Sequence, residues 1–128
     1  MRRSGISVAH QLACFAAPHR SIWRRSALWA AEYFAKHPYK PARAACEQMF
    51  KGRASLTQRV LAGASLAQLG SREAKEFILR NAPLDEVYEW AKVTTRGALE
   101  RVLARTKKID ERRKLERVIK KLPKQWPQ

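Results

Sequence analysis

Apolar residues recur at helical spacing along nearly the whole chain, and helix breakers interrupt them every ten to twenty residues. This pattern constrains the fold more than any other feature of the sequence. Ala42, Ala45, Cys46, Met49 and Phe50 follow the i, i+3, i+4 rule of a buried helical face. Ile22, Trp23, Leu28, Ala30, Ala31 and Phe34 do the same before Pro38, which biases His37 out of the helical region. Pro41 is suited to the first turn of the next helix, and Gly52 to its end. Ser55-Leu-Thr-Gln58 reads as a capping box opening a helix that carries Val60, Leu61, Leu66 and Leu69. Ala62, Gly63, Ala64 and Ala67 in that helix leave room for a close neighbour. Gly70 followed by Ser71 is a stop and then a start. A helix with Ala74, Phe77 and Ile78 follows, ending near Pro83. Leu84 to Val93 is expected to form the next helix, with Asp85 and Glu86 near its positive end. Thr94 or Thr95 then caps another with Ala98, Leu99, Val102 and Leu103. A last helix runs from about Ile109 to Leu122.

No segment alternates as a half-buried strand would. The expected fold is therefore all-α, with six or seven short helices in a compact bundle of helical hairpins. Segments 55–69 with 71–81, and 84–93 with 96–106, are the expected hairpins. The chain divides into a basic, acid-free arm at 1–20, a helical body at 21–106, and a basic helix with a Pro/Trp tail at 107–128.

Charge says more about partners than about fold. The 128 residues hold 27 Lys+Arg against 11 Asp+Glu, a formal net charge of +16. Small domains usually carry a net charge of roughly 2 to 8, so an excess of this size points to a polyanion. The first 70 residues contain only two acids, Glu32 and Glu47. Residues 1–31 contain none and are rich in Arg and Ser, the composition of a mitochondrial transit segment, or of an arm that threads into nucleic acid.

The segment Lys107–Lys121 holds eight Lys+Arg and three acids on a narrow apolar stripe of Leu115, Val118, Ile119 and Leu122. As a helix it would reach about 21 Å, docking one face and offering cations on the others. Arg can grip phosphate with two parallel hydrogen bonds, and Lys acts as a mobile point charge. The candidate nucleic-acid contacts are Arg2, Arg3, Arg24 and Arg25 early in the chain. Late in the chain they are Lys107, Lys108, Arg112, Arg113, Lys114, Arg117, Lys120, Lys121 and Lys124. Trp126, between Gln125 and Pro127 in the tail, is a candidate partner contact. Trp23, Trp29 and Tyr33 share an amphipathic helix with Arg24 and Arg25; the two tryptophans are expected in the core, the alternative being that the interleaved aromatics and cations stack on unpaired bases.

Signatures of catalysis are absent. The sequence has no GxxxxGK[ST] loop, no GxGxxG fingerprint and no G-x-S-x-G elbow. Cys14 and Cys46 lie far apart, and His10, His19 and His37 show no zinc-ligand spacing. No metal, cofactor or reaction is expected. The leading expectation is a structural RNA-binding component of a ribonucleoprotein, of the mitochondrial ribosome first, otherwise cytoplasmic, seated among neighbouring proteins. The alternatives are a helical DNA-binding protein of bacterial or phage origin, reading as a helix-turn-helix through Arg72, Lys75 and Arg80, and an accessory structural subunit of a mitochondrial inner-membrane complex on anionic lipid.

Overall fold

A computed structural model describes residues 21–125, with side chains from Ala27 onward. Its helices are α1 (Ser21–Lys36), α2 (Arg43–Lys51), α3 (Leu56–Gln68), α4 (Arg72–Asn81), α5 (Glu89–Arg105) and α6 (Ile109–Lys121). A single 3-10 turn, Lys40–Ala42, leads into α2. The described residues form helices joined by turns, with no strand, in agreement with the all-α expectation.

α3 is the axle of the fold. Eleven of its thirteen residues are buried, and α1, α2, α4 and α5 all pack on it. A helix surrounded on every side needs small residues where neighbours come closest. At Gly63 an added Cβ would lie 3.3 Å from two ring carbons of Phe50. Phe50 in turn meets Phe77 edge-on at 5.1 Å between centroids. The start and stop of α3 follow from local chemistry. Ser55 Oγ accepts from the Gln58 amide, and Gln58 Oε1 accepts from the Ser55 amide. At the other end Gly70 takes φ +105°, a left-handed conformation that side chains resist. Gly70 N donates to Ala67 O and Ser71 N to Leu66 O, which satisfies the last carbonyls in a Schellman arrangement. Ser71 Oγ then accepts from Ala74 N and opens α4.

Two expectations are corrected. Residues 84–88 are a turn, and the helix begins only at Glu89. Leu84 has φ 66° with its side chain in the core, and the Tyr88 amide donates to Thr57 Oγ1 at 3.3 Å. Asp85 and Glu86 thus precede the helix. Thr94 and Thr95 cap nothing: both are buried within the 17-residue α5, and Thr94 Oγ1 donates back to Trp90 O at 3.2 Å. The expected hairpin of 84–93 with 96–106 is one continuous helix. Its apolar residues show no single stripe because α5 is packed by α3, α1 and α6.

α6 closes the bundle against α5 and α4. Leu115, Val118, Ile119 and Leu122 join the same core as Leu61, Leu66 and Leu99. Truncating any one of these leucines to alanine would cost about 2–5 kcal/mol.

Candidate nucleic-acid interface

α6 is built to show cations outward. Asp110 and Glu111 occupy its first turn, and Lys120 and Lys121 its last, the polarity that the helix dipole favours. With Leu115, Val118 and Ile119 fixed in the core, a turn of about 100° per residue puts Arg113, Arg117 and Lys120 on the opposite side. Lys114 and Lys121 lie next to that line. All five are exposed, and none forms an ion pair with another described residue. Arg113 and Lys120 stand about 10 Å apart along the axis, so the five form a ridge rather than a single point of charge. Exposed Asp110 lies on the same side one turn before Arg113, and Glu116 lies beside Lys120. Glu111 is drawn off the ridge: its Oε1 accepts from Lys75 Nζ of α4 at 3.0 Å. That bond and charge hold the Glu111 carboxyl below its ordinary range.

A second group of cations is consumed by the fold. Five arginines each donate to a carbonyl at the end of a helix, where four carbonyls lack intrahelical partners. Arg59 Nε reaches Phe50 O near the end of α2 at 3.0 Å. Arg101 donates to Ala35 O of α1 at 3.1 Å and to Gln68 Oε1 at 2.7 Å. Arg105 donates to Gln68 O at the end of α3, and Arg96 to Leu122 O just after α6. Arg112 Nη1 reaches Leu103 O at 2.9 Å and Thr106 O at 2.7 Å, closing α5. Each guanidinium answers the negative pole of a helix as well as its unpaired carbonyl.

The structure therefore sorts the sequence candidates. Arg113, Lys114, Arg117, Lys120 and Lys121 form the ridge. Lys107 and Lys108 precede it and Lys124 follows it, all exposed. Arg112 points inward to the end of α5. Arg2, Arg3 and Trp126 lie outside the described residues, and Arg24 and Arg25 stand on α1 with side chains outside them. The role of Arg59, Arg96, Arg101 and Arg105 has no sequence signature, because their carbonyl partners lie 9 to 66 residues away.

The turn between α3 and α4 comprises residues 69–71, longer than the sequence suggested and of helix-turn-helix length. Lys75 is tied to Glu111, however, and on α4 exposed Arg72 and Arg80 alternate with Glu73 and Glu76. Among the described residues no helix is long and apolar enough to cross a membrane. No three His, Cys, Asp or Glu side chains among them are grouped to hold a metal ion.

Cys46 is fully buried and donates to Ser65 Oγ at 3.7 Å. Burial pushes its thiol up to about 11. Comparison with known proteins gave no match to a protein-family model, to a curated protein or to a solved structure.

Proposed function

We propose that this chain is a small RNA-binding structural component of a ribonucleoprotein, holding folded RNA by its phosphates along α6. The observation that carries the reading is the ridge of Arg113, Lys114, Arg117, Lys120 and Lys121, five exposed cations on one rigid helix with no ion-pair partner among the described residues. Side chains that stabilise a fold through charge find partners, as the helix-capping arginines do. A row left open on an anchored helix suits an external polyanion, and each phosphate it neutralises releases counterions. Such contacts fix position and shape with little readout of bases. The acid-free, Arg- and Ser-rich residues 1–31 support an organellar setting, the ribosome first, with protein neighbours around the bundle.

Duplex DNA read through α4 is the weaker reading, because the acids of α4 offset its free arginines. Anionic lipid is the remaining polyanion. The test is binding of the full chain to structured RNA, duplex DNA and anionic phospholipid vesicles across a salt series. Preference for structured RNA, lost on Arg113→Glu with Lys120→Glu and Lys121→Glu, is the expected result. Preference for vesicles, equal binding to all three, or an unaffected variant would overturn it.

A further inference from the structure

α1 turns two large aromatic side chains away from the core. Trp29 is 68% exposed and Tyr33 58%, which corrects the expectation that Trp29 lies in the core. The helix meets the core through Ala27, Ala31, Phe34 and Ala35 instead. Trp29, Tyr33 and His37 follow one another at four-residue steps, about 6 Å each along the axis. The Tyr33 and His37 rings lie 4.9 Å apart. Beside this line α1 and α5 enclose a cleft of about 330 Å³. Trp90, Val93, Gly97 and Arg101 of α5 line it, and Glu32 and Lys36 stand on its α1 side.

The charges at the cleft decide what the rings can meet. Lys36 is paired with Glu32 at 3.3 Å, and its side chain remains half-exposed. Arg101 spends Nε and one Nη on Gln68 and Ala35. Its other Nη borders Gly97, 3.7 Å from where a Cβ there would sit. An apolar protein surface covering Trp29 and Tyr33 would strip water from these cations without replacing it. A single-stranded nucleic acid offers both what the rings and what the cations need, a π-face and a phosphate at each step.

We propose that this face takes unpaired nucleotides of bound RNA, the bases stacking on Trp29 and Tyr33 and a phosphate meeting Lys36 and Arg101 at the mouth of the cleft. The proposal rests on the RNA-binding reading above and adds to it a second surface for single-stranded segments. The ridge on α6 holds helical RNA by charge alone. The α1 face requires bases that are free to splay onto a ring, so it distinguishes loops and ends from duplex.

The test compares a single-stranded oligouridine with a blunt-ended RNA duplex of equal phosphate number, using the full chain. In the Trp29→Ala, Tyr33→Ala double variant, oligouridine affinity falls about tenfold or more, and duplex affinity is unchanged. Trp29→Phe, which keeps a ring, retains most of the binding. Both aromatic residues are exposed, so circular dichroism of the variants should match the parent. No loss on oligouridine, or the same loss on both probes, overturns the proposal and leaves the ridge reading standing. Self-association of the parent that disappears in the double variant also overturns it, by making the face an interface between copies. Failure of the parent to bind either RNA refutes the RNA-binding reading itself.

Discussion

Arg112 and Arg113 are neighbours in sequence with the same side chain, and the structure gives them opposite work. Arg112 Nη1 bridges Leu103 O and Thr106 O, at 2.9 and 2.7 Å. Arg113 is exposed on the outer side of α6. A net hydrogen bond from a charged group contributes about 1.5–3 kcal/mol when well shielded. Arg112 is only half-buried, so water can partly replace it at both carbonyls. The two bonds together then amount to about 2 kcal/mol, some of it from the helix dipole. Arg112→Ala should therefore lower the thermal midpoint by roughly 6–10 °C for a domain of this size. Arg113→Ala should change stability by less than about 0.5 kcal/mol. Arg112→Lys keeps the charge without the fork and should recover part of the loss. Thermal unfolding followed by circular dichroism measures both stability effects, and a salt titration of RNA binding measures the binding roles. There the roles reverse: Arg113→Ala shallows the salt dependence, and Arg112→Ala leaves it unchanged well below its midpoint. Equal midpoints for the two variants, or a salt dependence that Arg112→Ala changes as much as Arg113→Ala, would refute the division between fold cations and binding cations.

Further expectations concern the interior and its titrating groups. Gly63→Leu forces a side chain against Phe50, whose ring already lies 3.3 Å from the position of a first added carbon; unfolding should show a loss of about 2 kcal/mol or more. In a Cys14→Ser background, Cys46 should resist disulfide reagents at neutral pH until the protein unfolds. Because the Cys46 thiol is raised from 9.0 to about 11 in the fold, its contribution is complete below 9.0 and lost as pH rises toward 11. Cys46→Ala should flatten that alkaline limb of a stability profile. Glu111 has the opposite sign, being lowered in the fold. Its pairing with Lys75 stabilises above the ordinary carboxylate value of 4.5 and is lost as pH falls below it. Glu111→Gln should remove that acid-side dependence, and an unchanged acid limb would show that the pair contributes nothing.

Local chemistry was legible in the sequence wherever the partners were close along the chain. Ser55 with Gln58, and Gly70 with Ser71, set the ends of α3 and α4 because each group is satisfied within a few residues. The stripe of Leu115, Val118 and Ile119 placed α6 for the same reason. Legibility failed where tertiary packing decided the outcome. Thr94 and Thr95 look like cap residues, but α5 is enclosed by three helices and takes them into its buried side. The segment Leu84 to Val93 reads as helix, yet Leu84 reaches the core from a turn. Trp29, as one of two tryptophans on an amphipathic helix, is expected inside, yet it and Tyr33 stand exposed. The small residues Ala27, Ala31 and Ala35 bring α1 close to α3 and leave the rings outside. The candidate interface was read in outline from charge density alone. Charge density could not separate Arg112 from Arg113, since only the folded chain brings Leu103 O and Thr106 O to one of them.

The central claim, that the α6 ridge binds RNA phosphates, is tested most directly by the salt dependence of affinity for structured RNA. Each neutralised phosphate contributes a slope of about −0.7 to −0.9 in log affinity against log salt. Five ridge cations engaged together give a slope of roughly −3.5 to −4.5. Changing Arg113, Arg117 and Lys120 to Ala should shallow it by about 2 to 3 while the melting curve stays close to that of the parent. A parent slope retained in full by that variant would contradict the account, because the phosphates would then be held somewhere other than α6.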